Sequence, residues 1–375
     1  MKKLLSVLLA FFMVFALVGC SNNEDDNNGG TTGTEDGYKV AVVTDVGQLN
    51  DGGFNQGTYE GAVAFAEKNG LSYKYYQPAN GSDATDDDRI AAMRQAVEGG
   101  AEIVVTPGFL QAAALETVAK ENPEVKFVFV DGWNLGLDNV TAISYHEEES
   151  GFFAGYAAVM DGYTKLGGTF GGAGTNAACN RFAYGYVQGM QAAAAELDTT
   201  VEATISFLYG GSFSASTELQ TQISGWYTNG TEVVFACGGS MLQSVKAAAA
   251  ETENGKIIGV DTDQSAESDR VITSAFKNLS GSVDLTLTKW FEGKWDGELA
   301  DKLSNLGVGD EATGLPTAEG SWRFNSFTVD QYHEVFAKVA DGSIKIDSDC
   351  ADLSTAAAWD GLKANCPNVT LTLEY

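Results

Sequence analysis

The chain has 375 residues, which is too long for one small domain and suits two domains of ordinary size. It has 51 acidic residues against 22 Lys and Arg, which gives a formal net charge of -29 at pH 7. This charge excludes nucleic acid and free phosphate esters as main partners, because few basic groups are available to neutralise phosphates. It also argues against broad electrostatic adhesion to an anionic membrane.

The N-terminal residues predict export and a lipid anchor. Two lysines precede an apolar run over residues 4–18, which is shorter than the ~20 residues of a membrane-spanning helix. The run ends in LVGC, which resembles the lipobox of bacterial lipoproteins, whose cysteine is acylated and becomes the mature N terminus. We therefore expect a signal peptide over residues 1–20, a lipid anchor on Cys20 and a location on the extracytoplasmic face of the cell membrane. An ordinary secretory signal with an incidental cysteine is the alternative.

After this leader, the chain alternates between short apolar runs and helical patterns, and it does so twice. A polar stretch without apolar residues to bury comes first and is typical of a disordered tether. Each following stretch repeats strand, helix and strand, which predicts a doubly wound parallel α/β sheet in each of two lobes. The expected order is tether, first lobe, second lobe and a C-terminal segment packing on the lobes: residues 21–37, 38–146 with about 276–330, 147–275, and 331–375.

Acidic residues and glycines stand where the predicted strands end. Asp45, Asp131 and Asp261 follow buried apolar runs, and Gly238 and Gly239 follow another. In open α/β sheets, ligands bind beyond the carboxyl ends of the strands, so we expect these residues to face a cleft between the lobes. Aspartate carboxylates in such a cleft suit the vicinal hydroxyls of a neutral ligand, and an aromatic face suits a flat heterocycle.

The sequence carries no signature of an enzyme, a metal site or a phosphate cradle. Its two histidines, His146 and His333, are far apart, and no HExxH or GxSxG motif is present. The glycine-rich stretch over residues 167–174 lacks the Gly-Lys-Ser/Thr ending of a P-loop, so close packing is its better interpretation. We therefore predict no catalytic residue, no metal ion and no cofactor.

Four cysteines follow the leader, and none has metal-site spacing: Cys179, Cys237, Cys350 and Cys366. An exported protein can keep a disulfide, and four cysteines allow three full pairings, between which the sequence does not choose. Cys350 and Cys366 flank one short segment and are the pair that we expect if a disulfide forms.

A series of motifs resembles the basic membrane protein family, the nucleoside-binding lipoproteins of ABC importers also called the purine nucleoside receptor A type. The stretch VVTDVGQLNDGGFNQGTYEG carries the first signature: Asp-x-Gly, three residues, Asp, two residues and Phe-Asn-Gln. Later stretches agree in order and spacing over roughly residues 38–291: EIVVTPGF, VKFVFVDG, NVTAISYHEEESGFFAGYAA, NRFAYGYVQG, YGGSF, IIGVDTDQ and VITSAFKN.

The resemblance implies a type I periplasmic-binding-protein fold, in which two Rossmann-like lobes joined by a hinge hold a nucleoside between them, with purine nucleosides favoured. On the first lobe, Asp45 and Asp131 would lie near the base, Phe54 would stack on it and Asn55 would lie beside it. A capping role for Asp45 and a stapling contact for Phe54 are the structural alternatives.

On the second lobe, the resemblance implies that Asp261 accepts the ribose hydroxyls with help from Lys277. The family has a second stacking aromatic from this lobe, for which Phe235 is the candidate with Phe213 behind it. A buried core position is the competing interpretation of Phe235. The backbone amides of Gly238 and its neighbouring glycine would also face the ligand.

The function implied is capture without chemistry by a monomer, followed by delivery to the permease and ATPase subunits of an ABC importer. The same fold binding a sugar, an autoinducer or a free purine is one alternative, and a surface sensor or adhesin is another. A nucleoside hydrolase is the weakest alternative. The chain departs from the family at Gly53, where a serine is common, and at Met241, where the family usually continues with glycines.

Overall fold

A computed structural model describes residues 39–46 and 48–375. The predicted signal peptide, the lipid anchor at Cys20 and the tether lie outside the described residues. The strands, in chain order, are β1 Val40–Val43, β2 Tyr73–Tyr76, β3 Ile103–Pro107, β4 Lys126–Val130, β5 Val140–Tyr145, β6 Lys165–Phe170, β7 Val201–Ser206, β8 Val233–Cys237, β9 Lys256–Asp261, β10 Val271–Lys277, β11 Lys302–Leu306, β12 Thr313–Gly314 and β13 Val369–Glu374.

The α-helices alternate with these strands over most of the chain. They are α1 Phe54–Lys68, α2 Asp86–Glu98, α3 Ala112–Glu121, α4 Glu147–Met160, α5 Ala177–Glu196, α6 Thr217–Thr228, α7 Met241–Ala250, α8 Leu279–Phe291, α9 Val329–Ala340 and α10 Asp360–Asn365. Within the described residues, no helix is long and apolar enough to cross a membrane.

The strands form two sheets, one in each lobe, and the predicted doubly wound α/β class is confirmed. The first sheet has the order β11-β5-β4-β3-β1-β2 and the second β12-β10-β9-β8-β6-β7-β13. Neighbouring strands are parallel throughout, except that β12 runs antiparallel to β10. Helices cover both faces of each sheet, which is why the central strands β1, β3 and β8 are apolar and fully buried.

The chain segments beyond residue 307 lie in the second lobe, which differs from the predicted boundaries. Residues 276–330 were expected in the first lobe, but β12 pairs with β10 and the Arg323 amide donates to the Ile272 carbonyl at 3.0 Å. The C-terminal β13 extends the same sheet beside β7. Only α8 and β11 return to the first lobe, and the irregular sequence after them carries no period from which its partner sheet could be predicted.

In the described part of the chain, three crossings join the lobes, after β5, after β10 and after β11. The first turn of α4 holds these crossing segments together. The Glu149 carboxylate accepts a hydrogen bond from the Val308 amide at 2.8 Å, and the Ser150 hydroxyl donates to the Phe276 carbonyl at 2.6 Å. These contacts fix the hinge side of the cleft.

Helices α4 and α5 pack closely because glycines remove the side chains between them. A Cβ at Gly185 would lie 1.9 Å from the Glu148 carbonyl oxygen, and a Cβ at Gly189 would lie 1.9 Å from that of Phe152. This approach brings Arg181 at the start of α5 against Glu147 at the start of α4, with 2.6 Å between Nε and Oε2.

We expect Gly185→Ala to destabilise the protein by about 3 kcal/mol, because neither helix backbone can yield without moving the hinge. Urea unfolding would measure this loss. The matched control is Gly225→Ala on α6, where a Cβ meets nothing within 4 Å. That substitution should be neutral or should stabilise by up to about 1 kcal/mol, and equal effects of the two substitutions would contradict the packing argument.

The four cysteines in the described residues are free thiols, so the Cys350–Cys366 pair, named for the case that a disulfide forms, is not joined in this structure. Both side chains are enclosed by apolar neighbours of the second-lobe core. Burial raises the pKa of Cys350 to about 12 and that of Cys366 to about 11, which keeps both groups protonated.

Candidate ligand-binding site

A narrow cavity with about 60 Å³ of solvent-accessible space lies between the lobes, at the carboxyl ends of both sheets. Of the residues predicted for the site, those with a side chain or backbone in its wall are Asp45, Phe54, Asn55, Asp131, Gly238, Asp261 and Lys277. The other residues in the wall are Val46, Asp51, Gly108, Phe109, Asn176, Ala178, Cys179, Phe182, Phe213, Cys237, Gly239 and Val260. The cavity therefore draws on both lobes.

Phe235 does not reach the cavity, and its assignment as the second stacking aromatic is corrected. It is fully buried in β8, and its ring packs edge-on against Phe170, Phe182 and Tyr186. Its side chain lies in the second-lobe core. Phe213, named behind it, lines the cavity instead.

Asp51 organises the loop that precedes α1. Its carboxylate accepts hydrogen bonds from the amides of Gly53, Asn55 and Gln56 at 2.9, 3.0 and 3.2 Å. These are orphan donors at the N terminus of α1, so Asp51 acts as its cap. The cap fixes Phe54 and Asn55 at the cavity edge, and it comes from Asp51, whereas capping by Asp45 was the alternative considered from the sequence.

The orientation of Asn55 follows from its two acidic neighbours. Its Nδ2 donates to Asp45 at 3.1 Å and to Asp51 at 3.3 Å, which assigns the amide nitrogen to that side. The Oδ1 atom is buried and has no protein partner. A cavity residue thus keeps an unsatisfied acceptor, which would gain a hydrogen bond from an N–H or O–H donor on a ligand.

Gly108, directly after β3, allows Asp45 to lie in the wall. Its φ of +96° is in the region that favours glycine, and a Cβ there would lie 2.2 Å from Asp45 Oδ2. Any side chain at this position would displace the carboxylate. The glycine is therefore needed to build the acidic side of the cavity.

Lys277 is the ammonium at the centre of a buried charge cluster. Its Nζ lies 2.8 Å from Asp131 Oδ2, 3.4 Å from Asp261 Oδ1 and 3.5 Å from Glu147 Oε1. These neighbours hold the pKa of Lys277 well above its ordinary value, although burial opposes the rise. The Arg181 guanidinium neutralises the far side of Glu147.

The cavity as a whole has an excess of negative charge. Five carboxylates face two cations, Lys277 and Arg181, so the ionised cluster would carry about three net negative charges. The carboxylates are Asp45, Asp51, Asp131, Glu147 and Asp261. Such a site repels phosphate and carboxylate groups and favours a ligand that donates hydrogen bonds.

Four phenylalanines supply the apolar part of the wall. Phe54 comes from the first lobe, and the Lys277 ammonium lies 4.9 Å from its ring centroid and 5.7 Å from that of Phe182. Phe109 and Phe213 meet across the cleft edge-to-face, with ring centroids 6.3 Å apart. Flat ring faces from both lobes are therefore available to one ligand.

Backbone strain is concentrated at the strand ends that line the cavity. Asp131, Phe213 and Asp261 have φ of 56°, 57° and 65°, in the left-handed region that non-glycine residues seldom adopt. The left-handed backbone turns their side chains into the cavity, whereas a continued strand would not. The surrounding contacts must offset a cost of about 1 kcal/mol or more at each residue.

The wall residues that were not predicted from the sequence differ in the sequence feature that could have revealed them. Phe109 follows Gly108 at the end of β3, so the rule that found Asp131 would have found it as well. Asn176 caps α5 by accepting from the Cys179 amide at 2.8 Å, which a helix-start search would detect. Phe182 lies within α5, and only the glycine-mediated packing against α4 brings it to the wall.

The acidity of the cavity makes stability depend on pH. Burial raises the pKa of Asp51 to about 6, although three backbone amides oppose this rise. Between pH 4 and pH 6 the folded state therefore binds more protons than the unfolded chain, and the stability contributed by this group is lost as pH rises through 6.

We expect the ligand-free protein to lose about 1–2 kcal/mol of unfolding free energy from Asp51 alone between pH 5 and pH 7.5. Asp51→Asn should remove this part of the pH dependence while keeping most of the cap. Urea unfolding at both pH values for the two proteins gives the difference. Identical pH dependences would contradict the raised pKa.

Comparison with known proteins identifies the family. The model of the Bmp family, described as ABC transporter substrate-binding protein PnrA-like, matches residues 38–338. The nucleoside-binding protein BmpA of an ABC transporter from Lactococcus lactis is 29% identical over 331 residues, covering 82% of this chain and 90% of that protein. A CD4+ T-cell-stimulating antigen from Listeria innocua is 26% identical and covers 91% of this chain and 96% of its own length.

A solved structure shows the same fold. The solute-binding protein of an ABC transporter system from Aeropyrum pernix superimposes with a TM-score of 0.71 at 21% identity, covering 88% of this chain and 97% of that chain. The type I periplasmic-binding-protein fold implied by the motifs is thus confirmed. This family consists of solute-binding proteins and is not a class of enzymes. The chain belongs to the Bmp family and is a substrate-binding protein of the PnrA-like, ABC transporter type.

Proposed function

We propose that this protein captures nucleosides, with purine nucleosides favoured, in the cavity between its lobes and delivers them to an ABC importer. The observation that carries the proposal is the unsatisfied Asn55 Oδ1 beside the ring of Phe54, with buried carboxylates on both lobes. A purine offers a flat face for the ring and N–H groups for the acceptor, and a ribose offers hydroxyls for the acids.

Each wall residue has a role in this proposal. Phe54 and Phe213 stack on the base, and Asn55 with Asp45 binds its polar edge, as does Asp131. Asp261 accepts the ribose hydroxyls, and Lys277 balances the acids around it. The amides of Gly238 and Gly239 are further donors, because both glycines have positive φ and lie in the wall.

The acidic cavity favours nucleosides over nucleotides, because a phosphate would be repelled by carboxylates whose negative charge one lysine only partly balances. The name of the Lactococcus relative supports a nucleoside ligand, and the family supports an importer as the partner. Attachment to the membrane through Cys20 and a monomeric state complete the proposal.

A thermal-shift panel tests the ligand class. Guanosine, inosine, adenosine and uridine are compared with guanine, ribose and guanosine monophosphate, and isothermal titration follows every shift. We expect the nucleosides to raise the melting temperature, the purine nucleosides most, and the monophosphate to have no effect. No shift with any nucleoside would overturn the proposal, and a shift with ribose alone would favour a sugar-binding protein.

A further inference from the structure

The loop that carries Asp51 also touches the second lobe outside the cavity. The Gly52 carbonyl accepts two hydrogen bonds from that lobe, from Thr262 Oγ1 at 2.8 Å and from Gln264 Nε2 at 3.0 Å. A carbonyl oxygen has two lone pairs, so this one acceptor is fully used. None of the three residues lines the ligand cavity; they border a neighbouring groove between the lobes.

The second-lobe side of this contact is rigid before the lobes meet. Gln264 is buried, its Oε1 accepts from the Val260 amide at 2.8 Å, and its backbone N–H donates to Ser274 Oγ at 3.0 Å. All these partners belong to the second lobe, so they hold the side chain with Nε2 directed toward the first lobe. Little side-chain entropy is lost when the contact forms.

The first-lobe side is coupled to the ligand loop. Gly52 lies between Asp51, which caps α1, and Gly53, whose amide Asp51 holds at 2.9 Å. Gly57 on α1 has no side chain, and a Cβ there would lie 2.9 Å from the Thr262 methyl carbon. The methyl group therefore packs directly on α1 when the lobes are closed.

We propose that Thr262, Gln264 and the Gly52 carbonyl form a closure latch that sets how fast the cleft releases its ligand. Opening the lobes breaks both hydrogen bonds, so the latch slows opening. It contacts no ligand and acts equally on every ligand that the cleft encloses. Thr262 and Gln264 are thus positioning residues, and the proposal rests on the proposed function only for the identity of the probe.

The test uses two near-isosteric variants and one matched control. Thr262→Val removes the donor and keeps the branched packing on Gly57, and Gln264→Glu keeps the acceptor for Val260 while it replaces the donor with an oxygen. Thr262→Ser retains the hydroxyl. Guanosine association and dissociation rates are measured by stopped flow, and small-angle scattering gives the radius of gyration of each protein without ligand.

We expect each latch variant to release guanosine roughly 5- to 10-fold faster, as the loss of one hydrogen bond implies. Association rates should change less than twofold, and the order of preference among nucleosides should be preserved. Thr262→Ser keeps the hydrogen bond and loses only the methyl contact with Gly57, so it should release guanosine more slowly than Thr262→Val. Unchanged dissociation in both variants, with the parent binding guanosine, overturns the latch and leaves the proposed function standing.

If the parent binds no nucleoside, the proposed function fails separately, and scattering then decides the latch. A larger radius of gyration for the ligand-free variants than for the parent supports it. Equal radii overturn it.

Discussion

Replacing Lys277 with methionine is expected to cost about 3–5 kcal/mol of unfolding free energy, because it leaves Asp131, Glu147 and Asp261 without their shared ammonium. The variant should also become markedly more stable when the pH is lowered from 7.5 to 5, because protonation then removes the unbalanced negative charge of the buried carboxylates. Denaturant unfolding at the two pH values measures both effects.

Two further variants separate the charge cluster from a general effect of losing a lysine. Lys289→Met removes a partly exposed lysine that lies 3.3 Å from Glu298 and should change stability by less than about 0.5 kcal/mol. Adding Asp131→Asn to the Lys277→Met protein should recover part of the loss. Equal stabilities of the parent and Lys277→Met would show that the acids are already neutral at pH 7.5.

The second large effect is on binding. Asp261→Ala should lower the affinity for purine ribonucleosides by roughly 100-fold, about 3 kcal/mol, while the affinity for the free base changes little. The proposed role of this carboxylate is to accept two ribose hydroxyls in a buried site, and truncation leaves those donors unpaired. Isothermal titration with guanosine, 2′-deoxyguanosine and guanine measures the pattern.

Asp261→Asn provides the matched control, since it keeps the shape and one acceptor and should lose less affinity than alanine. Lys277 retains Asp131 and Glu147 in both variants, so the fold should persist, which circular dichroism checks. An equal loss for guanosine and guanine would place Asp261 at the base and contradict the ribose assignment.

Periodicity and strand-end rules were enough to predict the two parallel sheets and the strand-end acids of the cavity. Asp45 and Asp131 follow strands of the first sheet and Asp261 ends β9 of the second, and all three line the cavity because the parallel strands of each sheet end at the edge that faces the cleft. Their contacts with a ligand stay a prediction. The rules reach this far because burial on both faces leaves a strong apolar signal in each central strand.

Side-chain direction and distant pairing were beyond the same reasoning. Phe235 and Phe213 are both aromatic and both near strand ends, but only a left-handed backbone turns Phe213 into the cavity. The partner of residues 308–330 depends on the short pairing of β12 with β10, which has no sequence period. Arg181 and Glu147 are 34 residues apart in the sequence, and they meet because glycines let α4 and α5 pack closely.

The position of β11 has a consequence for the order in which the protein is built. The first sheet receives its last strand from residues 302–306, after β6 to β10 of the other lobe have been synthesised. During synthesis, the first lobe forms with β5 as an open edge, and that edge stays uncovered until most of the second lobe has been made. A fragment that ends at the first crossing would therefore expose an adhesive strand, and chaperone capture of the nascent chain is expected to peak in that interval.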